Sequence, residues 1–518
     1  MKIKETLLLI IFVTLLLSTL SSVSVFGSSE AREIHLSALI RESDAFILVP
    51  KRGEFVPSKP PLYHYISGSI GKILPTSIAT EVITRSVSLF SALLTIFLTF
   101  LIAKKFSSSP IIAVLVLISS HLFLSSGFDS KVDTLMSLFI VSGIYFWLSG
   151  KNYLFITALI LGMLTKGPLT VILTSLGLLC IDRNYYSFNS KKILHLGVFL
   201  GIGAALGCVW YLLVFISGDT DTITRQLWFE NVARLIGDEK IAEKPWYFLF
   251  KSFVLAEPHL VLLVILAFIM DGFKIQRKEV SRCGIFFLLT LIFLSFSSGK
   301  RSSYILPVLP FFAVWLGDAL GKIFYSLSDN NKRKLFLLGL WGKRASISFL
   351  VIMLFGYEFL RVFDLRETVA FLTAQSFFVQ HAVPFQILII FTIFSSLYFT
   401  NISRNTIYAL NFITLWVCLS WAGAGVKGEL RGFENASKDI KKIVGDKKIF
   451  LIRDRFDEYL DPLFYYLRNS ISTVPESSEY ILAKKSDVPK ESSIIFSHRQ
   501  IGDIRSGSFE REVVLTSK

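Results

Sequence analysis

Residues 82–103 read VITRSVSLFSALLTIFLTFLIA and run straight into Lys104 and Lys105. A helix rising 1.5 Å per residue makes such a stretch a rod of about 33 Å, enough to cross the roughly 30 Å apolar layer of a bilayer. The two lysines then mark one end as the side of the basic loops. Working outward, further apolar runs lie near 110–126, 134–148, 153–164, 169–181, 194–216, 248–270, 284–297, 305–320, 347–360, 385–399 and 407–422. Another covers 6–26, behind Lys2 and Lys4. Its length, and the many spans after it, predict an uncleaved first span rather than a cleaved leader. The sum is about 11 to 13 transmembrane helices. The count depends on whether the short runs either side of Lys166-Gly167-Pro168 are two helices or one broken helix.

Composition agrees. Of 518 residues, 53% are hydrophobic, only 18% are charged, and 48 are Phe. Soluble chains carry about 25% charge, so a soluble enzyme is excluded, and so is a disordered chain. Lys and Arg number 54 against 39 Asp and Glu, a net charge of +15. With a cytoplasmic N-terminus, the inner loops hold Lys104 and Lys105, then Arg183, Lys191 and Lys192, then Lys274, Arg277, Lys278 and Arg282. Lys332, Arg333, Lys334 and Lys343 follow in the same pattern. The excess is therefore a topology signal, and no nucleic-acid partner is needed to explain it.

The same threading leaves residues 27–78, 218–246 and 364–382 on the outer face, and with thirteen spans the tail from about residue 425 as well. A membrane domain is expected over 1–425, with a first periplasmic loop over 27–80 and a second over 218–246. A small soluble α/β domain is expected over 426–518. In that tail, helices are predicted near 438–444, with Asn435 and Ser437 as cap candidates, and near 462–467. Strands are predicted near 448–452, 480–483, 493–497 and 512–515. Cys180, Cys208, Cys283 and Cys418 all fall in or beside spans and read as small buried hydrophobes. No metal site is assigned. His35 and His64 read as solvated or hydrogen-bonded residues, and the sequence demands no cofactor, though it leaves a divalent ion open.

Polar groups among apolar ones mark function in a membrane protein. Five such clusters fall on the outer face: Glu30-Ala31-Arg32-Glu33, Ser58-Lys59-Pro60-Pro61-Leu62-Tyr63, Lys131-Val132-Asp133, Leu164-Thr165-Lys166-Gly167-Pro168 and Lys300-Arg301-Ser302-Ser303-Tyr304. One basic residue alone is explained by snorkelling. The convergence of all five suits a lipid-linked phosphate. Lys and Arg hold the phosphate, an apolar groove takes the tail, and a carboxylate serves as base. The 218–246 loop, with Gln226, Trp228, Asn231 and Arg234, has the pattern of an interfacial amphipathic helix.

In order along the chain stand an acidic motif, KPPLYHY, LTKGP, QLWFENVARLIG with KPWYF, and SGKRSSYILPVLP. This ordered set resembles the C-type integral-membrane glycosyltransferases, and within them the family-39-like group of protein O-mannosyltransferases and lipid A aminoarabinose transferases. The resemblance covers roughly the first 310 residues. It implies transfer of a sugar from a polyprenyl-phosphate donor to a lipid A, glycan or protein acceptor. The site would face the periplasm from a bacterial inner membrane. It implies Lys59, Arg85, Lys166, Lys300, Arg301 and Tyr304 at the donor phosphate, Glu30 and Asp133 as catalytic carboxylates, and Arg32, Tyr63, Asn231 and Arg234 lining the cavity. The chain departs from the family pattern at Ser29, where an Asp is usual as the base, and at Ser58, where aminoarabinose transferases have Glu. It also has Lys131-Val132-Asp133 in place of Arg-x-Asp. Two other readings are a lipid-glycan flippase and a degenerate member that only binds polyprenyl phosphate. The lack of an internal repeat disfavours the flippase.

Overall fold

The computed structural model describes residues 20, 25, 27–43, 57–107, 109–182, 190–233, 244–270, 273, 276–326, 433–451, 461–472, 478–484, 494–500 and 511–517. The expected spans at 6–26, 347–360, 385–399 and 407–422 lie outside these residues, as do Glu54, Arg234, the 364–382 segment and the expected domain boundary near 425. The described residues fall into two compact units, Leu36–Leu340 and the set formed by residues up to His35 with the C-terminal ones.

Along the chain, the helices to residue 182 are α1 (Ser28–Glu42), α2 (Leu62–Ile73), α3 (Thr80–Phe106), α4 (Pro110–Ser119), α5 (His121–Phe128), α6 (Val132–Leu148), α7 (Asn152–Lys166) and α8 (Leu169–Ile181). Then come α9 (Ser190–Ile216), α10 (Thr220–Ile223), a π-helical segment Thr224–Ala233, α11 (Phe248–Ala256), α12 (Pro258–Ile269) and α13 (Lys278–Ser295). A 3₁₀ turn, Ser302–Val308, leads into α14 (Leu309–Ser326). Every expected span that falls on described residues is helical. Three helical stretches there are long and apolar enough to cross a bilayer, Thr80–Phe106, Ile193–Ile216 and Ser302–Phe324.

Two expected single spans are bent pairs instead. The 110–126 run breaks by 69° between α4 and α5, and the 248–270 run by 92° between α11 and α12. Pro258 explains the second break, because proline disfavours the helical conformation of the residue before it. That residue, Glu257, is fully buried and uses its carboxylate at the first break. It accepts from Ser120 Oγ at 2.7 Å, His121 N at 3.0 Å and Leu122 N at 2.7 Å. The free amides that open α5 are thus capped by the residue that ends α11.

The question of one broken helix or two around Lys166 is settled as two. Chain reversal at Gly167, with φ +73, lets α8 fold back on α7. Thr170 Oγ1 donates to Gly162 O at 3.0 Å. A Cβ on Gly162 would sit 2.2 Å from Thr170 Cγ2. The same device recurs where α9 crosses α7, with Gly203 against Leu159 and Gly207 against Met163, and where α14 crosses α4, with Gly317 against the Ala113 backbone. Small residues bring helices to close range where apolar burial alone cannot drive them together.

These contacts sort the bundle into two ends. At one, Trp147 Nε1 donates to Asp182 at 3.0 Å, Lys105 donates to Leu148 O, and Lys322 meets Asp318 at 2.7 Å. At the other end of α6 and α7 lie Asp133 and Lys166. Lys105 and the Asp133–Lys166 pair are therefore at opposite ends of the same helices.

In the other unit, five strands make a mixed sheet of order β2-β1-β3-β5-β4. They are β1 (Ile449–Leu451), β2 (Ile471–Ser472), β3 (Tyr480–Lys484), β4 (Ile494–Gln500) and β5 (Arg511–Ser517). β1 runs parallel to β2 and β3, while β5 is antiparallel to β3 and β4. Helices α15 (Phe433–Val444) and α16 (Asp461–Leu467) supply Phe433, Ile440, Val444, Leu463 and Leu467 to a core with Ile449, Leu482 and Leu515. The start of α15 corrects the predicted caps. Asn435 and Ser437 are inside the helix, and Ser437 Oγ donates to Glu434 O at 2.7 Å. The short strand β2 was not predicted, since two residues carry no alternation to detect. In the same unit Val25, Ala31 and Ile34 pack with Tyr465, Val25 N donates to Tyr466 Oη at 2.7 Å, and the His35 ring meets Phe464 edge-on at 4.9 Å. The acidic-motif segment and the C-terminal domain thus share one core.

Replacing Gly162 by Ala is expected to destabilise the α7–α8 hairpin by about 1–3 kcal/mol. It should lower the melting temperature of the detergent-purified protein. Adding Thr170→Ser, which removes the clashing methyl, should restore part of that loss. Absence of any recovery would mean the close approach is not what the glycine permits.

Candidate functional site in the Leu36–Leu340 unit

Three short local structures bring the site together. Pro60 and Pro61 fix the chain before α2 starts at Leu62, and so set Lys59 at a helix entrance. The stop at Gly167 leaves Lys166 as the last residue of α7, where a cation also suits the helix dipole. The third is the π-helical segment, a form frequent at functional sites. Its buried Gln226 donates to Pro57 O at 3.1 Å and Lys59 O at 2.8 Å, which pins the Lys59 backbone. Asn231 Nδ2 returns to Gln226 O at 2.6 Å.

The resulting small cavity, open to solvent, is lined by Lys59, Lys166, Tyr304, Gln226, Glu230 and Asn231, among others. Both lysines carry a carboxylate partner. Lys166 pairs with Asp133, and its ammonium stands 4.6 Å from the centre of the Tyr304 ring. Lys59 pairs with Glu230, which also has Arg225 at 3.5 Å. Lys59 and Arg301 lie near enough to act on the Asp133 charge as well. Lys166 and Glu230 are nearly buried, at 7% and 5% side-chain exposure, so these pairings are screened far less than surface ones.

Of the residues expected at the site, Lys59, Lys166, Tyr304 and Asn231 line one cavity, and Asp133 and Arg301 flank it. Others are placed differently. Arg85 is buried on α3, and Tyr63 gives its hydroxyl to Thr84 O at 2.8 Å; neither is among the residues lining this cavity. Lys300 donates to Lys244 O at 2.8 Å and ties the end of the 218–246 loop to the segment before the 3₁₀ turn. Glu30 and Arg32 belong to the other unit, where Glu30 is buried and Arg32 faces Glu33 at 4.0 Å. Arg234 lies outside the described residues. Among the described residues no group of three or more His, Cys, Asp or Glu gathers.

The sequence reading missed Glu230, Tyr211 and Leu169 on the cavity wall. Glu230 had a detectable signal. It is a lone carboxylate between Phe229 and Asn231 in an aromatic interfacial stretch, where a charge is costly unless it has a partner. Tyr211 and Leu169 had none, being ordinary members of apolar helices.

The fold and this cavity define a helical membrane protein built like the C-type glycosyltransferases. No family model matches the chain. Its whole length superposes on the crystal structure of ArnT from Cupriavidus metallidurans bound to undecaprenyl phosphate, with TM-score 0.68, 13% identity, and coverage of 98% of this chain and 97% of that one. An uncharacterised protein of Aquifex aeolicus is 28% identical over 302 residues, 58% of this chain and 69% of that protein. An undecaprenyl phosphate-α-4-amino-4-deoxy-L-arabinose arabinosyl transferase of Pseudomonas fluorescens is 28% identical over 161 residues, 31% of this chain and 29% of that one. The aligned segment spans under a third of that named transferase. The chain is thus related to the aminoarabinose transferases, which are membrane glycosyltransferases, as its motifs suggested.

Cutting one partner from a nearly buried ion pair costs more than removing both. Lys166→Met should therefore destabilise the protein by roughly 3 kcal/mol. The Lys166→Met/Asp133→Asn double variant should recover more than half of that, read as melting temperature in detergent. Simple additivity of the two single losses would show that the pair is not coupled.

Proposed function

We propose that the chain is a glycosyltransferase that moves a sugar from a polyprenyl-phosphate donor to a lipid A, envelope-glycan or protein acceptor. We place the reaction at the periplasmic face of a bacterial inner membrane. The observation that carries the proposal is the lysine-lined cavity at the end of the bundle away from Lys105 and Lys322. Inner-loop lysines mark the cytoplasmic side, so the cavity belongs to the opposite one. The ArnT likeness supports the fold of such an enzyme.

The charge balance supports the donor class. At the cavity Lys59 pairs with Glu230 and Lys166 with Asp133, with Arg225 beside Glu230 and Arg301 acting on Asp133. A sugar–phosphate–polyprenyl diester brings one negative charge. When the sugar–oxygen bond breaks, the leaving polyprenyl phosphate carries about −1.5 to −2. Lysines fixed at that place suit the leaving group better than the donor, which is the sense in which fixed charges speed a reaction. Lys59 and Lys166 are assigned to the phosphate oxygens, Tyr304 to holding the Lys166 ammonium in place, and Asp133 to positioning that same ammonium. The resemblance offers Glu30 as the acceptor's base. The C-terminal domain is assigned to the periplasmic side on the threading of the sequence alone.

Lys59→Ala and Arg301→Ala should each weaken undecaprenyl-phosphate binding about tenfold or more, as loss of a charge-assisted contact does. Transfer from a panel of radiolabelled polyprenyl-phosphate sugars into envelope extracts should fall with it. Retained lipid binding by a wild type that transfers no label would instead identify a degenerate, binding-only member, the reading that Ser29 favours.

A further inference from the structure

We infer that Glu230 is the carboxylate that takes the acceptor's proton, and that the donor phosphate readies it by drawing Lys59 out of their ion pair. This rests on the glycosyl-transfer reading and gives a role to a residue of the QLWFENVARLIG motif that the resemblance leaves without one.

Three observations carry it. First, Glu230 stands on the cavity wall at 5% side-chain exposure, on a segment clamped to the Lys59 backbone through Gln226. Its position is set by the same hydrogen bonds that set the phosphate ligand's. Second, Glu230 is among the residues that line this cavity, whereas Asp133, paired to Lys166, is not. Third, Glu230 shares its main partner with the donor. Lys59 is bound to it, with Arg225 at 3.5 Å. A phosphate that claims Lys59 removes the nearer of these two cations and opens the carboxylate to the cavity. The base is then readied by the seating of the donor.

The step balances without a further reactant. The acceptor's hydroxyl or amine nitrogen or oxygen bonds to the anomeric carbon as its proton passes to Glu230. The bond from that carbon to the phosphate oxygen breaks, and its electron pair leaves on polyprenyl phosphate, held by Lys59 and Lys166. Return of Lys59 to Glu230 then favours release of the product lipid and of the proton.

The test uses the full chain in lipid nanodiscs. Undecaprenyl phosphate is the binding probe, and transfer is followed from the radiolabelled donor panel into envelope extracts. Wild type, Glu230→Gln, Glu230→Asp and Glu30→Gln are compared. Glu230→Gln should bind undecaprenyl phosphate as tightly as wild type or several-fold more tightly, because the competing anion is gone. Its turnover should fall about 100- to 1,000-fold, the usual worth of a general base. Glu230→Asp, which keeps the charge and guards against a merely structural loss, should retain more turnover than Gln. Glu30→Gln should lose less than Glu230→Gln. Turnover of Glu230→Gln within about threefold of wild type, equal losses of binding and turnover, or a larger loss for Glu30→Gln would each overturn the assignment. A wild type that transfers no sugar would remove the transfer reading and the base role together. Even then, weaker binding by Glu230→Gln would separately refute the exchange of Lys59 between carboxylate and phosphate.

Discussion

A lysine at the tip of an apolar hairpin must find a counter-charge, because an unpaired ammonium in apolar surroundings costs several kcal/mol. Lys166 finds it in Asp133, and the rest of the membrane unit is arranged so that it can. The pair joins the last residue of α7 to the first turn of α6. It thereby brings into register two helices whose other ends are joined by the short link around Gly150. Gly167 and Pro168 make the reversal that keeps Lys166 at the tip, and Tyr304 stacks over its ammonium from the 3₁₀ turn. With that corner fixed, Lys59 can approach from α2 and the π-helical segment can close the remaining side.

The same economy governs the broken spans. A helix interrupted at membrane depth exposes amides and carbonyls that need partners. Here the two breaks answer each other, since the carboxylate of Glu257 satisfies the amides freed at the start of α5. A polar group that hydropathy would count as a defect is thus part of the packing. Glycine does complementary work at the helix crossings, where the absence of a Cβ permits approach that no larger residue allows.

Much of the bundle was legible in the chain. Hydropathy found the helices because apolar length is a local property, and Lys and Arg placement separated the two ends for the same reason. The elements of the C-terminal domain were legible too, apart from β2 and the start of α15. Part of the candidate site was legible in the motifs: Lys59, Lys166 and Tyr304, three of the residues they single out, line one cavity. What escaped were the counter-charges and supports. Lys300 looks like Arg301 in the sequence, yet it is used to hold a backbone carbonyl. Tyr63 sits within the most recognisable motif, yet its hydroxyl is spent on α3.

By itself, the sequence determined that the chain passes repeatedly through a bilayer and which helix ends gather lysine. Those properties are sums over neighbouring residues. Only the tertiary structure decided which carboxylate each cavity lysine meets. Asp133 and Lys166 are 33 residues apart and Lys59 and Glu230 are 171 apart, so no local pattern couples them. They meet because glycine crossings and the Gln226 clamp fix the backbones that carry them. Once there, low exposure makes each pairing strong enough to matter. The hint of chemistry in the sequence was an excess of positive charge, and the fold turned part of it into two cavity lysines, each paired with a carboxylate.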